Sequence, residues 1–152
     1  MLRAAFATVA AEFGLTAENT PSNPSFWTAA DLAHAVSRST HVLGVEDGAR
    51  LVGCAFIGPS PSRPGVWVLR HLAVRPDARC RGHGESLVSA AAGRAWQAGA
   101  GTLRIGIVAD NRRLSQWYQR LGFAVTEAGV HHGGLVFSVD YLELARPEAT
   151  YT

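Results

Sequence analysis

Read for apolar and polar positions, the chain changes period several times. Leu2, Ala5, Phe6, Val9, Ala10 and Phe13 recur at helical spacing, and Gly14 stands where a C-cap glycine belongs. The polar, proline-containing stretch from Thr16 to Ser25 reads as a loop. Thr28-Ala-Ala-Asp31 opens a second helix with a capping-box-like start, running to about Ser37. The spacing then becomes that of strands. His41–Val45 and Leu51–Ile57 are apolar runs joined by Glu46-Asp47-Gly48, and Asp-Gly is a strong hairpin signal. Gly58 to Gly65 is a proline-rich loop, and Val66–Val74 is a third strand ended by Pro76. Gly84–Ala98 is a helix with Leu87, Val88, Ala91 and Ala95 on one face, stopped by Gly99. Thr102–Ala109 alternates through Leu103, Ile105 and Ile107, and Arg112–Leu121 is a helix stopped by Gly122. Phe123–Glu127 and Leu135–Leu144 are the last strands, on either side of a loop containing His131-His132-Gly133-Gly134.

Helices interleaved with strands that include a hairpin predict a mixed sheet with helices on both faces, an α+β (mixed α/β) arrangement. The expectation is one domain over 1–152, with a helical part at 1–39 and a sheet core at 40–144. At 152 residues the chain can bury a real core without metal or disulfide staples. Composition narrows the function by exclusion. A net charge of +2 argues against nucleic acid as the main partner. All 14 Lys+Arg positions are Arg, so no Lys base or Schiff base exists here. Two cysteines, Cys54 and Cys80, suit a reducing cytoplasm better than a disulfide scaffold. No signal-peptide pattern and no apolar run near the roughly 20 residues of a membrane span is present, so a cytoplasmic protein without membrane contact is expected. No His, Cys or carboxylate spacing makes a convincing metal site.

The chemistry concentrates between Leu72 and Leu87. A strand runs through Pro76 into a short loop, Arg79-Cys80-Arg81-Gly82-His83-Gly84, and a helix follows at once. The first N–H groups of a helix have no internal partner and lie at the positive end of its dipole. Gly82 and Gly84 permit close approach, and Arg79 and Arg81 can add charge-assisted contacts. The segment is therefore either a pyrophosphate cradle or a plain tight turn capping a helix. It is not a Walker loop, which needs Lys, nor a dinucleotide fingerprint, because position 87 is Leu.

Arg79-Cys-Arg-Gly82-His-Gly84 resembles the Gln/Arg-x-x-Gly-x-Gly/Ala signature of the GNAT superfamily of acetyl-CoA-dependent N-acetyltransferases. Asn111-Arg-Arg-Leu-Ser-Gln-Trp-Tyr118-Gln-Arg-Leu121-Gly122-Phe123 resembles that family's Asn-x-x-Ala-x-x-Leu-Tyr-x-x-Leu-Gly-Phe. The similarity spans about residues 40 to 144. It implies a GNAT-like fold with a mostly antiparallel sheet, and acetyl-CoA as cosubstrate. By the resemblance, the backbone of Leu72, Ala73 and Val74 pairs with the pantetheine arm, and an N–H of Leu72 or Val74 stabilises the oxyanion. The N–H groups from Cys80 through Arg81, Gly82, His83 and Gly84 to Glu85, with Arg79 beside them, hold the pyrophosphate. Asn111 and Ser115 contact the pantetheine or nucleotide end, and Tyr118 protonates the departing thiolate. Transfer to a primary amine is direct, so Cys80 is assigned no catalytic role.

The acceptor side is less defined. Strand alternation puts Val68, Arg70, Leu72 and Val74 on one face and Trp67, Leu69, His71 and Ala73 on the other. Arg70 then stands where, by the resemblance, a base is expected; it cannot serve as one, but can bind an acidic group of the substrate or pair with a nearby Glu. His71 is expected on the wrong face. Glu12, Glu18, His34, His131 and His132 are weaker base candidates, and Phe26, Trp27 and Trp67 are candidate pocket walls. His83 reads as a solvent-facing loop residue. The family's usual first strand has no counterpart before the opening helix. The acceptor is a small-molecule or peptide amine of unspecified identity. The alternatives are a non-catalytic acetyl-CoA sensor and, further off, an acetyltransferase acting on aminoacyl-tRNA through Arg112, Arg113 and Arg120. A homodimer through the apolar strand from Leu135 to Tyr141 is possible by analogy.

Overall fold

The computed structural model describes residues 1–12 and 23–148. Six strands form one sheet: β1 His41–Asp47, β2 Arg50–Pro59, β3 Val66–Val74, β4 Thr102–Val108, β5 Ala124–His131 and β6 Ser138–Ala145, in the order β1-β2-β3-β4-β6-β5. Every neighbouring pair is antiparallel except β3 and β4, which run parallel. The predicted mixed, mostly antiparallel sheet is therefore present.

The helices are α1 Leu2–Glu12, α2 Ala29–Arg38, α3 His83–Gln97 and α4 Arg112–Arg120. They divide between the faces. Leu87, Val88, Ala91 and Ala95 of α3 pack on Ile57, Leu69, Leu103, Ile105 and Leu142 of the sheet, and Tyr118 of α4 closes the same cluster. The opposite face holds a much smaller cluster, Ala5 of α1 with Cys54, Phe56 and Ala73. Burial pushes the Cys54 thiol up to about 11, as befits a core residue.

Local signals placed most element ends well. Thr28 caps α2 and forms the full capping box with Asp31. Asn111 caps α4 by accepting from the Leu114 N–H at 3.2 Å. Several expectations shift. Asp47 pairs with Arg50, so the turn residues are Gly48 and Ala49 rather than Asp47 and Gly48. β5 runs four residues past Glu127, to His131, because β6 supplies partners as far as Ser138. β6 begins at Ser138, and Leu135, Val136 and Phe137 precede it. Phe13, Gly14, Glu18 and the Thr16–Ser22 part of the expected loop lie outside the described residues; Pro24–Phe26 forms a 3-10 turn. Among the described residues no strand precedes α1.

The consequential difference is in β3. Val74 pairs with Gly53, Ala73 with Cys54, and then Arg70 with Phe56, so His71 and Leu72 together oppose Ala55. This is a β-bulge, and His71 adopts φ 54°, left-handed backbone that costs a non-glycine residue about 1–2 kcal/mol. An extra residue reverses the phase of side-chain alternation. Trp67, Leu69, Leu72 and Val74 all face the α3 cluster. Arg70, His71 and Ala73 share the other side, where Arg70 lines a pocket, His71 meets Phe6 of α1, and Ala73 joins the cluster around Ala5. The expected separation of Arg70 from His71 is thus corrected.

Candidate active site

β3 and β4 pair only at Val66, Trp67 and Val68 with Thr102, Leu103 and Arg104. Beyond them the strands part, which leaves the edge of β3 from Leu69 to Val74 facing an opening. Arg75 donates its N–H to Val52 O on the β2 side. By alternation from Arg75 the Val74 N–H group points into the opening. A free strand edge of this kind can pair with an extended ligand.

The opening leads to the glycine loop. Arg75-Pro76-Asp77-Ala78 turns through a 3-10 segment, Cys80 takes φ 63° and Gly82 φ 81°, and α3 starts at His83. The first intrahelical bond is Ser86 N–H to Gly82 O. Among the described residues nothing accepts from the N–H groups of residues 79 to 85, and Gly82 gives no side-chain cap. The positive end of the helix dipole adds to that row of donors. His83 is half-buried rather than solvent-facing, and its Nε2 is buried without a hydrogen-bond partner. A buried polar atom in that state calls for a partner. Together these features fit an anionic phosphate group.

The arginines behave differently from one another. The Arg79 guanidinium donates to Val74 O at 3.2 Å and Ala5 O at 2.8 Å, which ties the loop to β3 and α1 and takes it away from the phosphate position. Arg81 is exposed, 3.5 Å from Asp47. Gly84 lies under the Trp117 ring; a Cβ there would sit 3.1 Å from that ring.

Two of the α4 candidates are engaged within their own helix. Asn111 is its cap, and buried Ser115 accepts from the Gln119 amide at 3.0 Å. Tyr118 is 5% exposed and packs edge-on against Trp117 and Phe123. Burial pushes its phenol above the ordinary value, so it stays protonated.

On the other face His71 sits within 6.4 Å, ring to ring, of Phe6, Trp27 and Phe56, with Trp27 nearest at 4.6 Å. Burial, and then the Arg70 charge, lower its pKa to about 4. It is a neutral imidazole at physiological pH. Sequence alternation missed this residue because the bulge that turns it shows only in the pairing with β2. Trp67 does not line an acceptor pocket: it is buried in the α3-side cluster and stacks on His41. Phe26 is half-buried in the 3-10 turn, and Glu12, His34 and His131 are exposed. His132 Nε2 lies 2.6 Å from the Tyr141 hydroxyl. Among the described residues no group of His, Cys and carboxylates could hold a metal ion, and no helix is long and apolar enough to cross a membrane.

Comparison with known proteins agrees with this geometry. The profile of the Acetyltransferase (GNAT) family matches residues 7–123. No curated protein matches the chain in sequence. Among solved structures, a GNAT-family acetyltransferase from Desulfovibrio desulfuricans superposes with TM-score 0.66 at 18% identity, over 84% of this chain and 87% of that one. A Bacillus subtilis acetyltransferase in complex with CoA gives TM-score 0.62 at 21% identity, over 79% and 85%. A GNAT acetyltransferase from Elizabethkingia anophelis with acetyl-CoA bound gives 0.63 at 16%, over 76% and 82%. At these identities the structures establish a shared fold, while the profile covers well over half of the sequence. This chain therefore belongs to the GNAT family of acetyl-CoA-dependent N-acetyltransferases.

Proposed function

We propose that this protein binds acetyl-CoA in the opening between β3 and β4 and transfers its acetyl group directly to a primary amine that arrives from the α1 face. The observation that carries this reading is the continuity of a free β3 edge with a row of unbonded N–H groups at the start of α3. The pantetheine arm adds itself to the edge at Leu72–Val74. The N–H groups from Cys80 to Glu85 hold the pyrophosphate, with His83 Nε2 beside them. An N–H of Leu72 or Val74 donates to the thioester oxygen as it gains charge.

The amine nitrogen attacks the thioester carbonyl, and the carbon–sulfur bond then breaks. Tyr118 gives its proton to the departing thiolate. His71 takes the proton from the nitrogen once attack has made that nitrogen acidic. A neutral imidazole of low basicity is suited to that late step and not to deprotonating a free ammonium ion.

The test is calorimetry with acetyl-CoA, wild type beside Gly84→Val, together with free-thiol release against a panel of primary amines. A Kd of about micromolar size that is lost in the variant, with thiol release for at least one amine, is the expected result. Binding without release for any amine would favour the sensor reading. Absence of binding by the wild type would overturn the proposal.

A further inference from the structure

The divergence of β3 and β4 also opens a pocket of about 320 Å³ on the face away from α3. Its walls include Arg63 from the β2–β3 loop, Val68 and Arg70 of β3, Arg104 and Gly106 of β4, and Tyr141 of β6. The size is at the small end for ligand sites and suits a compact acceptor. Gly106 shapes the floor, because a Cβ there would meet the Tyr141 ring at 3.1 Å.

Three guanidinium groups line this pocket, and two are committed. Arg63 and Arg104 share the Glu143 carboxylate at 2.9 and 2.8 Å. Arg104 also pairs with Glu127 at 3.1 Å and lies 4.0 Å over the Tyr141 ring. Arg70 has no hydrogen bond or ion pair among the described residues, although it is half-buried. Burial lowers its pKa, and a second cation, Arg38 at the end of α2, lowers it further. The charged side chains identified around the pocket are Arg38, Arg63, Arg70 and Arg104 against Glu127 and Glu143, so positive charge is in excess. A half-buried guanidinium without a partner is costly, and its planar fork matches a carboxylate through two parallel bonds. Ser60 Oγ at the rim accepts from the Arg63 N–H at 3.2 Å, which leaves its proton available to donate.

We infer that Arg70 binds a carboxylate of the acceptor, so that the substrates are small amines bearing a carboxylate, in the manner of amino acids. The bulge puts His71 on the same side as Arg70, next along the chain. A carboxylate on Arg70 would hold the same molecule on the side of β3 that carries His71, and it would offset the cationic field that His71 feels. This inference rests on the acetyl-transfer reading above.

The experiment compares kcat/KM for L-amino acids and β-alanine with their amides and with the matching aminophosphonates, in wild type and Arg70→Gln. The expected result is a roughly 10- to 100-fold preference of the wild type for the carboxylate over the amide, seen mainly in KM. Arg70→Gln abolishes that preference and leaves the KM for acetyl-CoA unchanged. Equal use of carboxylate and amide by the wild type, or a preference for phosphonate, would overturn the inference while leaving acetyl transfer intact. If no amine is turned over, thermal shift decides. A saturable rise in Tm with these amino acids in wild type but not in Arg70→Gln supports the carboxylate site, and no rise refutes it.

Discussion

The two faces of the sheet are built to different standards. On the α3 side Leu87, Leu103 and Leu142 are fully buried in a continuous cluster that reaches Tyr118. On the other side Ala5, Cys54, Phe56 and Ala73 are the whole buried cluster among the described residues, and α2 buries no residue at all. On the proposed reading the cosubstrate side is a close-packed frame, and the acceptor side is a thin covering over charged and aromatic groups. A frame that must hold the same cosubstrate needs fixed geometry. A surface that must admit a particular amine needs space and charge, which a packed core excludes.

The sharpest way to break this contrast is at Tyr118, the proposed acid embedded in the frame. Tyr118→Phe is expected to lower kcat by about 10²- to 10⁴-fold, with acetyl-CoA affinity and Tm nearly unchanged, in steady-state kinetics and calorimetry. A kcat within a factor of two of wild type would reduce Tyr118 to a core aromatic.

Packing provides the next test. Leu87→Ala should cost about 2–5 kcal/mol in denaturant unfolding, the usual range for truncating a buried leucine. In the same protein, amide hydrogen exchange should be faster in α2 than in α3, since α2 has no buried residue and packs on its cluster through half-buried Ala35. Equal protection of the two helices would contradict the asymmetry.

The smallest expected effect belongs to His71. Its pKa in the folded protein is about 4, below the ordinary 6.5. Above pH 6.5 both folded and unfolded chains leave it neutral, and its contribution is complete. As pH falls from 6.5 to 4 the unfolded chain binds a proton that the folded one refuses, so stability declines over that window. His71→Phe should flatten that part of the stability profile. In wild type, kcat/KM should rise with pH toward the pKa of the amine itself, with no separate limb near pH 6–7. A limb there would indicate a more basic imidazole than this environment allows.

Both faces were unequally legible in the sequence for a physical reason. The capping box at Thr28 and Asp31, the hairpin before Arg50, the turn into α3 and the Asn111 cap are local, written in residues three or four apart. The resemblance to the family lies in two of these local segments, the turn into α3 and the stretch from Asn111, so the proposed cosubstrate side was legible early. The bulge at His71 is visible only against Ala55 in a different strand, and alternation within β3 alone put every residue from His71 to Val74 on the wrong side relative to Arg70. The destination of Arg79, on a carbonyl of α1, is likewise a long-range fact. So is the length of β5, which β6 dictates. The pocket at Arg70 needed four separate segments before its charge imbalance became visible.

That bulge also determines which changes in chain length the enzyme can survive. Removing one residue at His71 or Leu72 would leave β3 an unbroken strand of acceptable composition. The two surfaces would nevertheless exchange their wiring for every residue on one side of the deletion. Leucine and valine would be turned toward the amine, or arginine toward the leucine core. Substitution can tune the acceptor one residue at a time, whereas a deletion in this strand rewrites both halves of the catalyst at once. Variation among descendants of this chain is therefore expected in the identity of residues 70 and 71, and not in the number of residues between Leu69 and Ala73.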